Sequence, residues 1–274
     1  MIRRIICTIL IATYWTQAAA NERIVAIGPE IVEIAFALGV GDRIIAVDKH
    51  STYPPETNGK NSLGYFRALS AEGIFSTKPD LVIVTPDAGP PETIEILKGS
   101  DLDVRVAPDA NTPTDVPQLI KFIGNVISKE EEAQSLIEDY QSNLGLSDQL
   151  KVNDTKAIFL MAIQGGTPIA AGKDTVPSAL IEFAGATNVA TFSGFKPITT
   201  ETMIQYNPDV IIMMPERVEA TGGLTAVSAI PGIAATRAGM EQNILTINAG
   251  LILRLGPRTP TTVTKLKRYF VDLK

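Results

Sequence analysis

The chain has 274 residues, with 30 acidic and 24 basic side chains, one histidine and a formal net charge of −6. That acidic balance argues against a nucleic-acid binder, which would carry a basic patch. A single histidine argues against a zinc or manganese carrier, which would gather several, and the length favours two lobes over one core.

Residues 1–20 read as a secretory signal peptide. Met1-Ile2-Arg3-Arg4 supplies the positive start, Ile5 to Trp15 the apolar run, and Ala18-Ala19-Ala20 the small residues before cleavage after Ala20. The apolar run is too short to cross about 30 Å of hydrocarbon. The expected destination is the periplasm. Removing this segment takes Cys7 and Trp15 with it, so the remaining chain has no disulfide, cysteine nucleophile or thiolate metal site.

Residues 21–113 form an expected first α/β lobe, with apolar strand-like runs at Ile24–Ile27, Ile44–Val47, Leu81–Val84 and 104–106. Residues 33–39 read as the end of a helix closed by Gly39. Residues 114–150 read as a linking backbone helix. Val116, Leu119, Ile120 and Ile123 are in helical register, Ser128 to Glu131 has capping-box spacing, and the helix beyond it runs to about Leu150. Residues 151–274 form a second α/β lobe, with strands at 157–161, 210–214 and 244–247 and a helix closed by Gly185. The expected fold is α/β: two Rossmann-like lobes with mostly parallel sheets, joined by a long rigid helix that permits only small opening motions.

The two lobes carry an internal repeat. Leu69-Ser70-Ala71-Glu72 leads to Pro79-Asp80 and the run 81–84; Ile198-Thr199-Thr200-Glu201 leads to Pro208-Asp209 and the run 210–213. In each copy a hydroxyl residue caps a short helix and a glutamate occupies its first turn, where the helix dipole favours negative charge. Proline then stops the helix, and a strand buried on both faces follows.

No G-x-S-x-G elbow, HExxH or P-loop is present, and one histidine without a cysteine removes most nucleophile and acid–base arrangements. An enzyme is therefore not expected. The strings Leu63-Gly-Tyr65-Phe-Arg67-Ala-Leu-Ser70-Ala-Glu72-Gly73, Asp87-Ala-Gly-Pro-Pro91, Gly194-Phe-Lys-Pro197 and Leu255-Gly-Pro-Arg-Thr-Pro260 resemble the haem-binding branch of the helical-backbone periplasmic binding proteins of ABC importers. The resemblance implies a carrier that holds one haem between its lobes, with Tyr65 as axial iron ligand. It implies delivery to an inner-membrane permease, onto which Glu72 and Glu201 dock, and an outer-membrane haem receptor as the upstream source. A monomer is expected.

The chemistry of Tyr65 is sensible in its own right. Ferric iron is a hard Lewis acid, a phenolate is a hard oxygen donor, and tyrosine ligates haem elsewhere. Arg67, two residues on in an extended segment, lies on the same face and favours the phenolate. Haem propionates call for cations, for which Lys173, Lys196, Arg217, Arg254 and Arg258 are candidates. Arg254 ranks first, beyond the carboxyl end of a strand, and Arg258 is as suited to tying down its loop. His50 reads as a solvated loop residue or a second iron ligand. Met161, Met213 and Met214 read as core. A ferric siderophore is the alternative cargo. A cobalamin carrier would commonly offer tryptophan to the corrin ring, which this chain lacks beyond Trp15.

Overall fold

A computed structural model describes residues 23–273, so the expected signal peptide lies outside the described residues. The first half of the chain builds a wholly parallel five-stranded sheet. In chain order its elements are β1 (Ile24–Ile27), α1 (Pro29–Ala37), β2 (Ile44–Val47), β3 (Asn61–Ser62), α2 (Ala71–Ser76), β4 (Leu81–Val84), α3 (Pro91–Lys98) and β5 (Asp103–Val106). The strand order is β3-β2-β1-β4-β5.

Two helices follow, α4 (Val116–Val126) and α5 (Glu130–Leu146). The second half comprises β6 (Lys156–Gln164), β7 (Thr167–Ala171), α6 (Val176–Phe183), β8 (Thr187–Asn188), β9 (Phe195–Pro197), α7 (Thr200–Tyr206) and β10 (Val210–Met213). It continues with α8 (Pro215–Ala220), α9 (Leu224–Ser228), α10 (Pro231–Ala234), α11 (Arg237–Met240), β11 (Ile244–Thr246), α12 (Ala249–Ile252) and α13 (Thr259–Asp272). Its sheet runs β11-β10-β6-β7-β9, with β8 also on β6; β7 is antiparallel to β6 and β9, and the other pairings are parallel. Among the described residues no helix is long and apolar enough to cross a membrane.

Strands β1, β4 and β10 are buried at all four positions, as expected of parallel strands covered on both faces. Their alternate residues divide between cores. Ile24, Ala26, Leu81, Ile83, Val210 and Ile212 all belong to one apolar cluster, which also takes in α1, α4, α5, α6 and α13. The opposite faces carry a separate cluster in each half. One continuous core thus passes from the first sheet through the helices to the second.

The internal repeat is visible in the structure. Ser70 Oγ accepts from the Gly73 amide and Thr199 Oγ1 from the Thr202 amide, each at 3.2 Å. Asp80 accepts from the Arg23 amide and returns its own amide to the Arg23 carbonyl; Asp209 exchanges the same pair with Lys156. Each Pro-Asp thereby fixes the entry of the neighbouring central strand. Gly39 and Gly185 close α1 and α6 with φ of 77° and 87°, in the left-handed region that glycine enters most easily. Each donates to the third carbonyl back, and the next residue donates to the fifth.

The linking segment differs from the expected long rigid helix with a capping box at Ser128 and a run beyond it to about Leu150: it is two helices, the second ending at Leu146. The capping box is made by Thr112 and Asp115 at a short 3-10 turn, Pro113–Asp115. Ser128 does not cap: its φ is 56°, and α5 starts after Lys129 with no side-chain cap. The chain turns there so that α5 lies against α4, burying Ala133, Ile137 and Tyr140 at helical spacing. Tyr140 donates to the Pro113 carbonyl at 2.7 Å, and burial pushes its phenol up. The helices approach most closely at Gly124, where an added Cβ would lie 2.4 Å from that of Ala133.

Gly124→Ala tests this contact. Helix propensity alone would stabilise the variant by about 1 kcal/mol, whereas overpacking costs about 1–3 kcal/mol. We expect a net loss of stability in urea denaturation; a gain would show that the two helices can separate freely.

Candidate functional site

A cavity of about 800 Å³ lies between the two sheets, within the roughly 300–1,000 Å³ typical of small-molecule sites. Its walls are the segments that follow strands: Glu30 after β1, Lys49 and His50 after β2, Thr85 to Asp87 after β4, Asp174 to Pro177 after β7, and Asn248 to Leu255 after β11. The parallel strands of both sheets, with Glu216 following β10 and Asn248 following β11 in the second, therefore aim their carboxyl ends at one space, where open α/β sheets bind ligands; β7 runs antiparallel to them.

Tyr65 lines this cavity and is 36% exposed. Gly64, with φ 82°, turns the chain into it, and the Gly64 carbonyl accepts from the Lys49 amide at 2.8 Å. The segment is not extended as expected. Tyr65 to Ala68 form a turn closed by the Ala68 amide on the Tyr65 carbonyl at 2.8 Å, with Phe66 tucked beneath. The turn still brings the paired groups together: Arg67 Nη1 lies 3.5 Å from the Tyr65 hydroxyl. His50 stands edge-on to the Tyr65 ring at 5.4 Å between centroids and is half exposed. Lys49 Nζ lies 5.2 Å from the same ring centroid.

Asp87 organises the cations. It binds Arg67 Nη2 at 2.5 Å, Arg254 Nη2 at 3.1 Å and Arg254 Nη1 at 3.3 Å, and accepts from Thr85 Oγ1 at 3.0 Å. Arg254 also lies 3.7 Å from Glu30, and both arginines sit 4.9 Å from the Phe66 ring centroid. Burial works to raise the Asp87 carboxyl, but the charge and hydrogen bonds of Arg254, with Arg67 and Thr85, hold it below the usual aspartate value. Glu30 goes the other way, because its burial outweighs the pull of Arg254.

The expected propionate anchors need correction. Arg254 does line the cavity, but its charge is engaged by Asp87 and Glu30 of the first lobe. Lys196 does not line it: on β9 it is Phe195, 42% exposed, that faces the cavity, while Lys196 Nζ lies over Phe192. Lys173 and Arg217 are also off the lining. Arg258 is structural, gripping Glu33 of α1 at 2.7 and 2.9 Å and stacking 3.5 Å from the Tyr53 ring centroid. Met213 and Met214 are core, but Met161 lines the cavity. Lys49 was not foreseen; only its position just after a strand pointed to it. Glu72 and Glu201 are exposed in the first turns of α2 and α7. Among the described residues no group of three histidine, cysteine or carboxylate side chains is arranged to hold a metal.

A family model described as periplasmic binding protein matches residues 24–250. The chain belongs to the periplasmic binding protein family. The periplasmic heme-binding protein RhuT from Roseiflexus sp. RS-1, solved in apo form, shares 32% identity and a TM-score of 0.88, over 93% of this chain and 99% of that one. The periplasmic heme-binding protein BhuT, solved with two hemes, shares 32% identity and a TM-score of 0.89, over 92% and 98%. The vitamin B12-binding protein of Pectobacterium carotovorum subsp. carotovorum (strain PC1) is 25% identical over 266 residues, 94% of this chain and 92% of that one. The chain is thus a substrate-binding protein of the kind that serves ABC importers and not an enzyme. Carriers of two different tetrapyrroles stand among its relatives.

The paired state of Asp87 predicts a pH dependence. A carboxyl held below its unfolded value contributes stability that is complete above that value, near pH 3.8, and is lost as pH falls through the folded value. The stability advantage of wild type over Asp87→Asn in urea titrations should therefore be constant above about pH 5 and shrink below about pH 4. An advantage that grows on acidification would refute the pairing.

Proposed function

We propose that this protein binds haem in the inter-lobe cavity, with Tyr65 as axial ligand to ferric iron, and carries it to an ABC permease of the inner membrane. The observation that carries the reading is the Tyr65 hydroxyl at the cavity wall with a guanidinium 3.5 Å away. A tyrosine oxygen is a suitable hard donor to ferric iron, and a guanidinium beside it can donate a hydrogen bond to the bound oxygen. The rest of the wall suits a flat macrocycle, since Phe195, Met161, Val176 and Leu253 give it apolar surface to lie against. The identity shared with heme-binding proteins over nearly the whole chain supports the same cargo.

A corrinoid is the second reading, favoured by the similarity to vitamin B12-binding proteins. A ferric siderophore would also draw on the cations around Tyr65. Titration separates the three. Hemin bound through Tyr65 should give a shifted Soret band, and Tyr65→Phe should weaken binding by roughly tenfold or more, about 1.4 kcal/mol per decade. Unchanged hemin affinity in that variant would remove Tyr65 as the ligand, and tighter binding of cyanocobalamin than of hemin would replace haem as the cargo.

Glu72 and Glu201 are proposed as the docking acids, one per lobe at matching points of the repeat. Complementary charge of this kind fixes orientation and raises encounter rates. Glu72→Ala with Glu201→Ala should leave the hemin titration unchanged while abolishing most haem-dependent growth of cells relying on this importer. Full growth would reject the docking role.

A further inference from the structure

Among the cations that line the cavity, two are already engaged by protein carboxylates. Arg67 and Arg254 share Asp87, and Arg254 also faces Glu30. Lys49 differs: among the described residues no carboxylate lies within ion-pair distance of its Nζ, and its one close aromatic partner is the Tyr65 ring. The second lobe's part of the lining offers carboxylates instead, Asp174 and Glu216, and the expected cations of that lobe, Lys173, Lys196 and Arg217, are off the lining. Among the lining lysines and arginines, Lys49 therefore carries the charge without a carboxylate partner, while Asp109, Asp174 and Glu216 add negative charge to the lining.

We infer that Lys49 is the residue that reads the acid groups of the cargo, so that this site selects a carboxylate-edged tetrapyrrole over an amide-edged one. The inference rests on the haem reading and adds an orientation to it. The carboxylate edge lies at the β2 end of the first lobe, beside Tyr65, and the apolar edge lies toward Phe195 and Met161. Pairing a carboxylate with Lys49 leaves Asp87 on its two arginines, so the contact between the lobes persists while cargo is held. A corrin rim bearing neutral amides can accept a hydrogen bond from an ammonium group but offers it no opposite charge. Lys49 thus separates two cargo classes that the apolar walls would accept alike.

Three probes test this by absorbance and fluorescence titration of the whole protein: hemin, hemin dimethyl ester and cyanocobalamin. Wild type should bind hemin more tightly than either of the others. Lys49→Gln should weaken hemin binding roughly tenfold, as loss of a charge-assisted contact does, leave the dimethyl ester unchanged and narrow the preference over cyanocobalamin. Lys49→Arg should restore most of the loss, and Lys196→Gln should have no effect. An equal loss for hemin and its ester would mean that Lys49 acts on the tyrosine ring instead, which overturns the inference. Unchanged hemin binding in Lys49→Gln overturns it too, with the haem reading intact. Failure of wild type to bind hemin at all overturns both.

Discussion

The structure depends on a single apolar core that belongs to neither sheet alone. Alternate residues of β1, β4 and β10 belong to the same cluster, which α4, α5, α6 and α13 join with their apolar faces. Side chains packed at near-crystalline density transmit displacement and do not absorb it. One half therefore cannot swing from the other without opening that cluster to water, at roughly 25 cal/mol per Å² of apolar surface. The loop after α12 adds polar ties at the same level, with Arg258 on Glu33 and Arg254 on Glu30 and Asp87. The gap between the sheets is set by these contacts, and a ligand that fits it need not drive a large closure. Preformed walls of this kind reduce the ordering cost of binding.

Within that fixed gap the distribution of charge is decided by Asp87. Left without it, Arg67 and Arg254 would place two positive charges close together beside Phe66. With it, both guanidiniums are held in place, and one of them still reaches the Tyr65 hydroxyl. The site then contains a tyrosine with a positioned cation beside it while most of its charge is balanced internally. Internal balance matters in a partly dry cavity, where an unpaired charge is costly.

Much of the fold could be read from sequence because it rests on local rules. Fully apolar four-residue runs gave the central strands, glycine at positive φ closed α1 and α6, and Ser70 and Thr199 cap their helices as their spacing implied. The parts that escaped depend on contacts distant in sequence. The Ser-to-Glu spacing marked a helix start near Ser128, but not that Ser128 takes a positive φ without capping or that α5 packs back on α4. Arg254 was legible as a cavity residue, but Asp87, its partner, lies 167 positions earlier. On β9 the strand's two-residue alternation turns Phe195 inward and Lys196 away, and the motif around them gives no phase. Tyr65 and Arg67 were paired correctly through the wrong geometry, since both a strand and a tight turn can bring side chains two positions apart to one side.

The repeat also limits how cargo can be held. Gly64 and Gly194 both have positive φ, and each is followed by an aromatic residue that lines the cavity, Tyr65 in the first lobe and Phe195 in the second. The two lobes thus present rings at corresponding points of the gap, but only one ring carries a hydroxyl. The same replacement runs through the neighbours: Arg67 reaches the cavity, whereas Lys196 is turned from it. Within the lining, the tyrosine oxygen with a cation beside it therefore stands on the first lobe alone. The repeat is thus symmetric outside, where Glu72 and Glu201 are exposed at matching points of the two lobes, and one-sided inside, where the hydroxyl-bearing ring and its neighbouring guanidinium come from the first lobe only.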